Sequence, residues 1–439
     1  MKNNSRIVLS WVMSTFSIFL LASCSTQKQI NKQASRLLYN SDALKSAHVG
    51  ISVYDDSLKT YLYNYQSDKF FIPASTAKLY TLFAGLTYLP DSLLAAKVML
   101  DNGTIIVQST GDPTFLHPDF AYQPLLTFLQ NENIEVIRIN TAFASESFGR
   151  GWAWDDFQET YMSERDPFPM YGNLATIRYQ GDSLVSNPPS VAPFVSGKTT
   201  EGYPWKVTRT IGGHMYSIDT TKGTTANEKK VTMAMDKGLF ATRYLTDTLH
   251  KTVLTEYNAM APWQGLPIYS QPKDSLFRMM MHRSDNFFAE QTIMMASYQL
   301  LGKMDDVKMI DTLLHTTFTD APQKPKWADG SGLSRYNLFS PKDMVWVLQK
   351  LKDSFGIERI KVILPTANEG TLKSMFIGNE NRIFAKSGSL SNNYCLSGYI
   401  FTKHNKRLTF SIMINNYRAD YTIVKKEIEQ FLTGLIDGY

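Results

Sequence analysis

Ser75 and Lys78, in the run Pro73-Ala74-Ser75-Thr76-Ala77-Lys78-Leu79-Tyr80, have the types and the spacing for covalent chemistry. At positions i and i+3 of a helix, a hydroxyl and an amine sit side by side. The hydroxyl can then attack while the amine takes its proton. The helix is legible: Leu79, Leu82, Phe83, Leu86 and Leu89 recur at three- and four-residue steps between Pro73 and Pro90. Ser75 falls in its first turn, where unpaired backbone N–H groups and the positive dipole end favour developing negative charge. A lysine is a base only when neutral, and a free amine titrates near about 10.4. Burial and a neighbouring cation must bring it down, so a second cation is expected elsewhere in the chain.

Spacing alone is weak, because Ser-x-x-Lys also occurs at Ser25/Lys28 and Ser270/Lys273. Ser25 follows a processing signal, and Pro272 disfavours helix at the residue before it. Only Ser75 opens a long apolar helix. Two further patterns follow in order. Ser284-Asp285-Asn286 lies between two helical stretches that begin at Ser275, and Lys386-Ser387-Gly388 is carried on a predicted strand at Asn381 to Lys386. The three-motif set is shared by class A β-lactamases and penicillin-binding proteins.

The remaining elements frame these motifs. Near Leu37, Leu38 and Leu44 a polar tether runs into a helix. Stretches His48 to Asp55 and Lys59 to Phe71 alternate as a hairpin around Asp55-Asp56-Ser57. Another hairpin turns at Asn102-Gly103, and strand and turn material continues to about Trp263. Glycine-rich Asp329-Gly330-Ser331-Gly332-Leu333-Ser334 precedes an amphipathic helix from Ser340 to Ser354. Strands follow at Tyr394 to Thr402 and Arg407 to Asn415, and Ile423 to Leu435 forms a closing helix.

Composition bounds the function. With 43% hydrophobic residues the chain can bury a large core, and 45 basic against 40 acidic residues, net +5 and without charge runs, make nucleic acid an unsuitable partner. Lys2 and Arg6 precede an apolar run from Ile7 to Ala22, an export signal. It ends in Leu21-Ala22-Ser23-Cys24, which resembles the lipobox of bacterial lipoproteins, so Cys24 is expected to carry lipid and anchor the protein to a membrane outside the cytoplasm. The second of the two cysteines, Cys395, stands in an apolar strand and reads as a buried small hydrophobe. Seven scattered histidines have no metal-like spacing, and His282 reads as structural. No metal and no cofactor are expected.

On Ser75-x-x-Lys78, Ser284-Asp285-Asn286 and Lys386-Ser387-Gly388 the chain resembles the D-Ala-D-Ala carboxypeptidase/endopeptidase family, the class C low-molecular-mass penicillin-binding proteins. Gly111-Asp112-Pro113-Thr114, Gly151-Trp152-Ala153-Trp154-Asp155-Asp156, the 329–334 loop, Leu364-Pro365 with Gly370-Thr371-Leu372, and Gly398-Tyr399 extend the likeness. So does the long gap between Ser75 and Ser284. The resemblance implies an α/β (α+β) fold: a serine β-lactamase/DD-peptidase-like domain with an antiparallel sheet flanked by helices, plus a large β-rich insertion. The domains would be a signal peptide at 1–23, the peptidase domain at 24–91 with 263–439, and the insertion at 92–262.

By that resemblance Ser75 is the nucleophile and Lys78 its base, Ser284 relays the proton to the leaving amine, and Asn286 holds Lys78 and the substrate amide. Lys386 is the second cation and draws the terminal carboxylate, which Ser387 hydrogen-bonds. Gly388 keeps the strand face open for substrate backbone, and the N–H groups of Ser75 and Ser389 form the oxyanion hole. Ser387 stands where threonine is common in the family. The implied partners are peptidoglycan stem peptides and β-lactam antibiotics, on the periplasmic face of a bacterial envelope. A β-lactamase, a D-amino-acid esterase and a non-catalytic wall-binding scaffold stay open as alternatives.

Overall fold

The computed structural model describes residues 30–180, 183–199, 206–210, 213–220, 228–256 and 264–439. The signal segment 1–23 and Cys24 lie outside them. The described chain forms two compact units.

One unit comprises residues 77–320 with 326–337. It opens with helix α1, Lys78–Tyr88, in which every residue from Lys78 to Leu86 is buried. The apolar stripe expected from sequence is thus a helix enclosed on all sides, packed on α2 (Lys273–Arg283) and α3 (Asn286–Leu301). Lys273 caps it: Nζ donates to the carbonyls of Leu86 (3.1 Å) and Leu89 (2.7 Å), where α1 runs out of partners. The Ser270/Lys273 pair is therefore structural, with Ser270 on a strand and hydrogen-bonded to Asp112. Helix α4, Asp306–Thr316, follows.

The same unit holds a five-stranded sheet in the order 252–256, 136–140, 104–109, 92–101, 266–272. Its hairpin turns at Asn102-Gly103, with φ of +47° and +77° and Asp101 paired to Thr104, the geometry Asn-Gly favours. Two three-stranded sheets complete it. The division falls after Thr76 and around 321–337, a different partition from the 91 and 263 read from sequence. Long-range packing accounts for it: Met294, Tyr298 and Met304 cluster with Leu94, and Arg165 pairs with Glu290 and Asp306. These contacts tie the helices after 273 to the strands before 263.

The other unit comprises 30–76, 321–325 and 338–439. Its sheet contains β1 (His48–Asp55), β2 (Thr60–Tyr65), β3 (Ile383–Leu390), β4 (Asn393–Phe401) and β5 (Arg407–Asn415), ordered β3-β4-β5-β1-β2 and antiparallel throughout. Strand β2 stops at Tyr65, short of Phe71, because Gln66 takes φ +44° and Phe71 bridges Phe339 instead. The alternation in β5 separates two buried faces. Leu408, Phe410, Ile412 and Ile414 join Val424, Ile428, Phe431 and Leu432 of helix α6 (Tyr421–Gly438) in one core. Thr409, Ser411 and Met413 are equally buried. On that face Ser411 pairs with Ser397 (2.9 Å), and helix α5 (Pro341–Phe355) packs on the sheet. That helix starts on a capping box: Ser340 Oγ accepts from Asp343 N, and the Asp343 carboxylate accepts from Ser340 N.

Candidate active site

Ser75 lies in a 3-10 turn, Ala74–Ala77, that runs directly into α1, so Lys78 follows it by one turn. The turn is drawn tight. Ala74 holds φ +49°, rare for a residue with a side chain, and Thr76 Oγ1 donates to Pro73 O at 2.7 Å. Strand β3 continues past Lys386 to Leu390, so Lys386, Ser387, Gly388 and Ser389 are all strand residues. Lys386 is fully buried and its Nζ donates to Ser387 O at 2.6 Å.

Gly388 explains how the strand and the turn meet. A Cβ there would stand 2.5 Å from Pro73 O and 2.8 Å from Ser75 N. The space beside Gly388 is filled by the protein's own turn, which corrects the expectation that this glycine leaves the strand face open. β3 is also an edge strand, paired in its sheet with β4 alone. Ala385 N donates outward, away from β4, to Pro365 O. Backbone groups alternate along an antiparallel strand, so the N–H groups of Ser387 and Ser389 face the same edge as that of Ala385.

In the other unit Lys78 is fully buried, and its Nζ donates to Asn286 Oδ1 and to Ser331 O, both at 2.6 Å. Burial drives its pKa down to about 8, against the opposing pull of Asp329, Asp285 and Glu290. From an ordinary 10.5, that shift costs about 3 kcal/mol. Leu79, Leu82, Phe83 and Leu86, all buried on the same helix, each contribute roughly 1.5–3 kcal/mol on burial, an upper estimate that still covers the cost.

Ser284 is the left-handed C-cap of α2, at φ +60°, ψ +38°. Asp285 is the N-cap of α3 and accepts from Phe288 N at 2.9 Å. The chain therefore reverses between two helices on the middle motif, and Asn286, first residue of α3, reaches Lys78. Its Nδ2 donates to Tyr161 O at 2.9 Å. Burial pushes the Asp285 carboxyl up, while Lys78 and Arg283 draw it back.

Several residues around Lys78 escape sequence reasoning. Ser331 contributes through its carbonyl, which leaves no trace in side-chain type. The loop bearing it is folded on Asp329, whose carboxylate accepts from Gly332 N (2.8 Å), Ser334 N (2.7 Å), Asn337 Nδ2 (2.7 Å) and Trp152 Nε1 (2.7 Å). Gly330 lets the loop touch α3, since a Cβ there would meet Ala289 O at 2.8 Å. Glu290, 1% exposed, accepts from Ser331 N at 2.7 Å. One signal was available: Glu290 is the single charged residue in α3. The geometry can support serine acyl transfer, because a tight nucleophile-bearing turn precedes a buried amine of lowered pKa. Cys395 is buried and bonded to Ile72 O, its thiol pushed up to about 12 by burial, so it has no nucleophilic part.

The chain is 23% identical over 422 residues to the D-alanyl-D-alanine carboxypeptidase DacB of Haemophilus influenzae, spanning 85% of this chain and 86% of that one. The solved structure of penicillin binding protein 4 from the same organism superposes with a TM-score of 0.73 at 20% identity, over 93% of this chain and 99% of that one. A predatory peptidoglycan endopeptidase of Bdellovibrio bacteriovorus, solved also in a penicillin G acylated form, shares the fold at a TM-score of 0.53 and 16% identity, over 89% and 93% of the two chains. The α+β fold is thus that of the DD-peptidases. The D-Ala-D-Ala carboxypeptidase 3 (S13) family model matches residues 30–435, and the chain belongs to that family.

Proposed function

We propose that this protein is a serine-type D-alanyl-D-alanine carboxypeptidase of the bacterial cell envelope that binds penicillin and works through an acyl-enzyme on Ser75. Its family membership supports the activity. The observation that carries the site assignment is Lys78, a buried amine of lowered pKa bonded to Asn286 and the Ser331 carbonyl, one turn from Ser75.

Ser75 Oγ attacks the carbonyl carbon between the two terminal D-alanines as its proton passes to Lys78. The N–H groups of Ser75 and Ser389 hold the resulting oxyanion, and each such donor is typically worth on the order of 3 kcal/mol. Collapse restores the carbonyl and breaks the C–N bond. The proton travels through Ser284 to the leaving amine, and terminal D-alanine departs. Water then cleaves the ester, which frees Ser75 and the shortened stem peptide. Asn286 positions Lys78 and the substrate amide, while Lys386 and the Ser387 hydroxyl hold the terminal carboxylate. The substrate backbone adds along the open edge of β3. The same edge accepts the D-alanyl cross-links between strands, which gives endopeptidase action.

Intact-mass measurement after incubation with penicillin, followed by peptide mapping, tests this reading. One adduct on the Ser75 peptide is expected, absent from Ser75→Ala. An adduct on Ser270, or none on the wild type, overturns it.

Cys24, outside the described residues, is the lipidated residue in this reading and holds the enzyme on the periplasmic face. Among the described residues no helix is long and apolar enough to cross a membrane. A fatty-acid analogue fed to cells should label the wild type and not Cys24→Ala. Equal labelling refutes the anchor.

A further inference from the structure

Behind Lys78 lies a row of buried charges that the reaction as written does not use. Arg165 is 2% exposed, and its Nη1 lies 2.5 Å from Asp306 Oδ2 and 3.3 Å from Glu290 Oε2. Its Nε donates to Glu146 O, and its guanidinium stacks 5.5 Å over Trp152. Asp306 is held in turn by Ser145 Oγ at 2.7 Å. Such a cluster is a poor stability device, since well-packed apolar residues usually do as well or better than a buried ion pair. What it does is fix Glu290 in place. Glu290 in turn takes Ser331 N, and the peptide on the other side of Ser331 is held by Asp329 through Gly332 N. Both peptide planes flanking Ser331 are therefore clamped by carboxylates, and its carbonyl is left pointing at Lys78 Nζ.

We propose that Glu290, locked by Arg165 and Asp306, is a positioning residue that aims the Lys78 lone pair through the Ser331 carbonyl. The inference rests on reading Lys78 as the base. A neutral amine has two hydrogens and one lone pair. Asn286 Oδ1 and Ser331 O are short acceptors of Lys78, and when two hydrogens are spent on them the lone pair is directed away from both. Without the Ser331 carbonyl the amine can rotate, and the fraction of time spent ready to take a proton falls. Arg165 lies within 92–262, so that block braces the base through Glu290.

Glu290 has an electrostatic effect on Lys78 as well as a geometric one. Among the charged groups acting on Lys78 are Asp285, Asp329 and Glu290, with Arg165 and Asp306 behind Glu290. Burial raises Glu290 to about 7, so it is largely ionised where Lys78 titrates and holds the lysine proton on. Removing that charge should ease deprotonation.

The test is the second-order rate of penicillin acylation against pH for wild type, Glu290→Gln and Glu290→Ala, with thermal unfolding as the check on folding. Glu290→Gln keeps an acceptor for Ser331 N and loses the charge, so the midpoint should fall by about half a pH unit or more. Glu290→Ala loses the clamp, and its high-pH plateau should drop roughly tenfold or more. A folded Glu290→Ala with the wild-type plateau overturns the proposal. Should Glu290→Ala not fold, an unmoved midpoint in Glu290→Gln overturns it instead. Lys78→Ala run in parallel separates the two readings. If Lys78→Ala acylates normally, the base assignment fails. If it is inactive while both Glu290 variants match wild type, only the role of Glu290 fails.

Discussion

Lys78 and Lys386 are both fully buried, yet the protein surrounds them differently. Lys78 opens an apolar helix and sits between a side-chain amide and a loop carbonyl, with three carboxylates near enough to resist loss of its proton. Lys386 lies on an edge strand, and one of its hydrogens goes to the carbonyl of the next residue. The first setting is tuned: desolvation and carboxylates pull in opposite directions and leave a pKa of about 8, where a proton can be taken and returned. The second sets an amine against its own strand, beside the edge proposed to take substrate. Burial by itself therefore does not decide what a lysine is for. The neighbours do.

Exchanging each lysine for arginine should break the likeness most sharply. Arginine stays protonated in proteins, so Lys78→Arg should lose acylation as completely as Lys78→Ala, by roughly a thousandfold in a stopped penicillin assay. At position 386 a permanent cation is what the proposed role requires, so Lys386→Arg should retain more activity than Lys386→Ala, which should fall about tenfold. Equal losses in both arginine variants would remove the distinction.

The pH profile sharpens it further. Below about 8 Lys78 carries its proton, so acylation should fall about tenfold per pH unit on the acid side and level off above. Stability follows with a definite sign. Between about 8 and 10.5 the native lysine binds fewer protons than the unfolded one, so unfolding free energy from Lys78 should rise with pH across that window. Lys386→Arg should keep the acylation midpoint, and a midpoint that moves with Lys386 would assign the titration to the wrong residue.

A smaller effect is expected at Gly388. The added Cβ of Gly388→Ala meets backbone at 2.5 Å, which should cost about 1–3 kcal/mol in denaturant unfolding and slow acylation by pushing β3 from the Ser75 turn. Wild-type stability and rate together would show that the close approach is unimportant.

The helices beside the first two motifs lie where their local patterns indicate, because periodicity, prolines and caps act over a few residues, although Ser75, expected in the first turn of its helix, lies in the 3-10 turn before it. Ser284 and Asn286 fall at the junction of two helices, and Ser75 in the turn before α1. What stays hidden is made by long-range pairing. Arg165 finds partners 125 and 141 positions away, and the Ser331 carbonyl reaches Lys78 across 253. No local spacing encodes those distances. Strand β3 outruns its expected end at Lys386 because Ser387, Gly388 and Ser389 carry no apolar period, and its extent is fixed by the pairing of Gly388 with Cys395 and Ser389 with Tyr394. The partition into units likewise depends on buried ion pairs and a methionine cluster whose members are far apart in sequence.

The helix at the start of the described chain sets a working radius. Ile30, Ala34 and Leu37 are buried in the same core as Leu435 and Ile436 of α6, and Arg36 donates to Gln430 at 2.9 Å, so the polypeptide is fastened from Ile30 onward. Six peptide steps separate Cys24 from Ile30 in sequence, and a fully extended chain of that length, at no more than about 3.6 Å per residue, spans at most about 22 Å. An enzyme anchored at Cys24 is on a short leash. With Cys24 lipidated as proposed, the enzyme would trim peptidoglycan close to its own membrane, and more distant layers would have to be reached by moving the anchor.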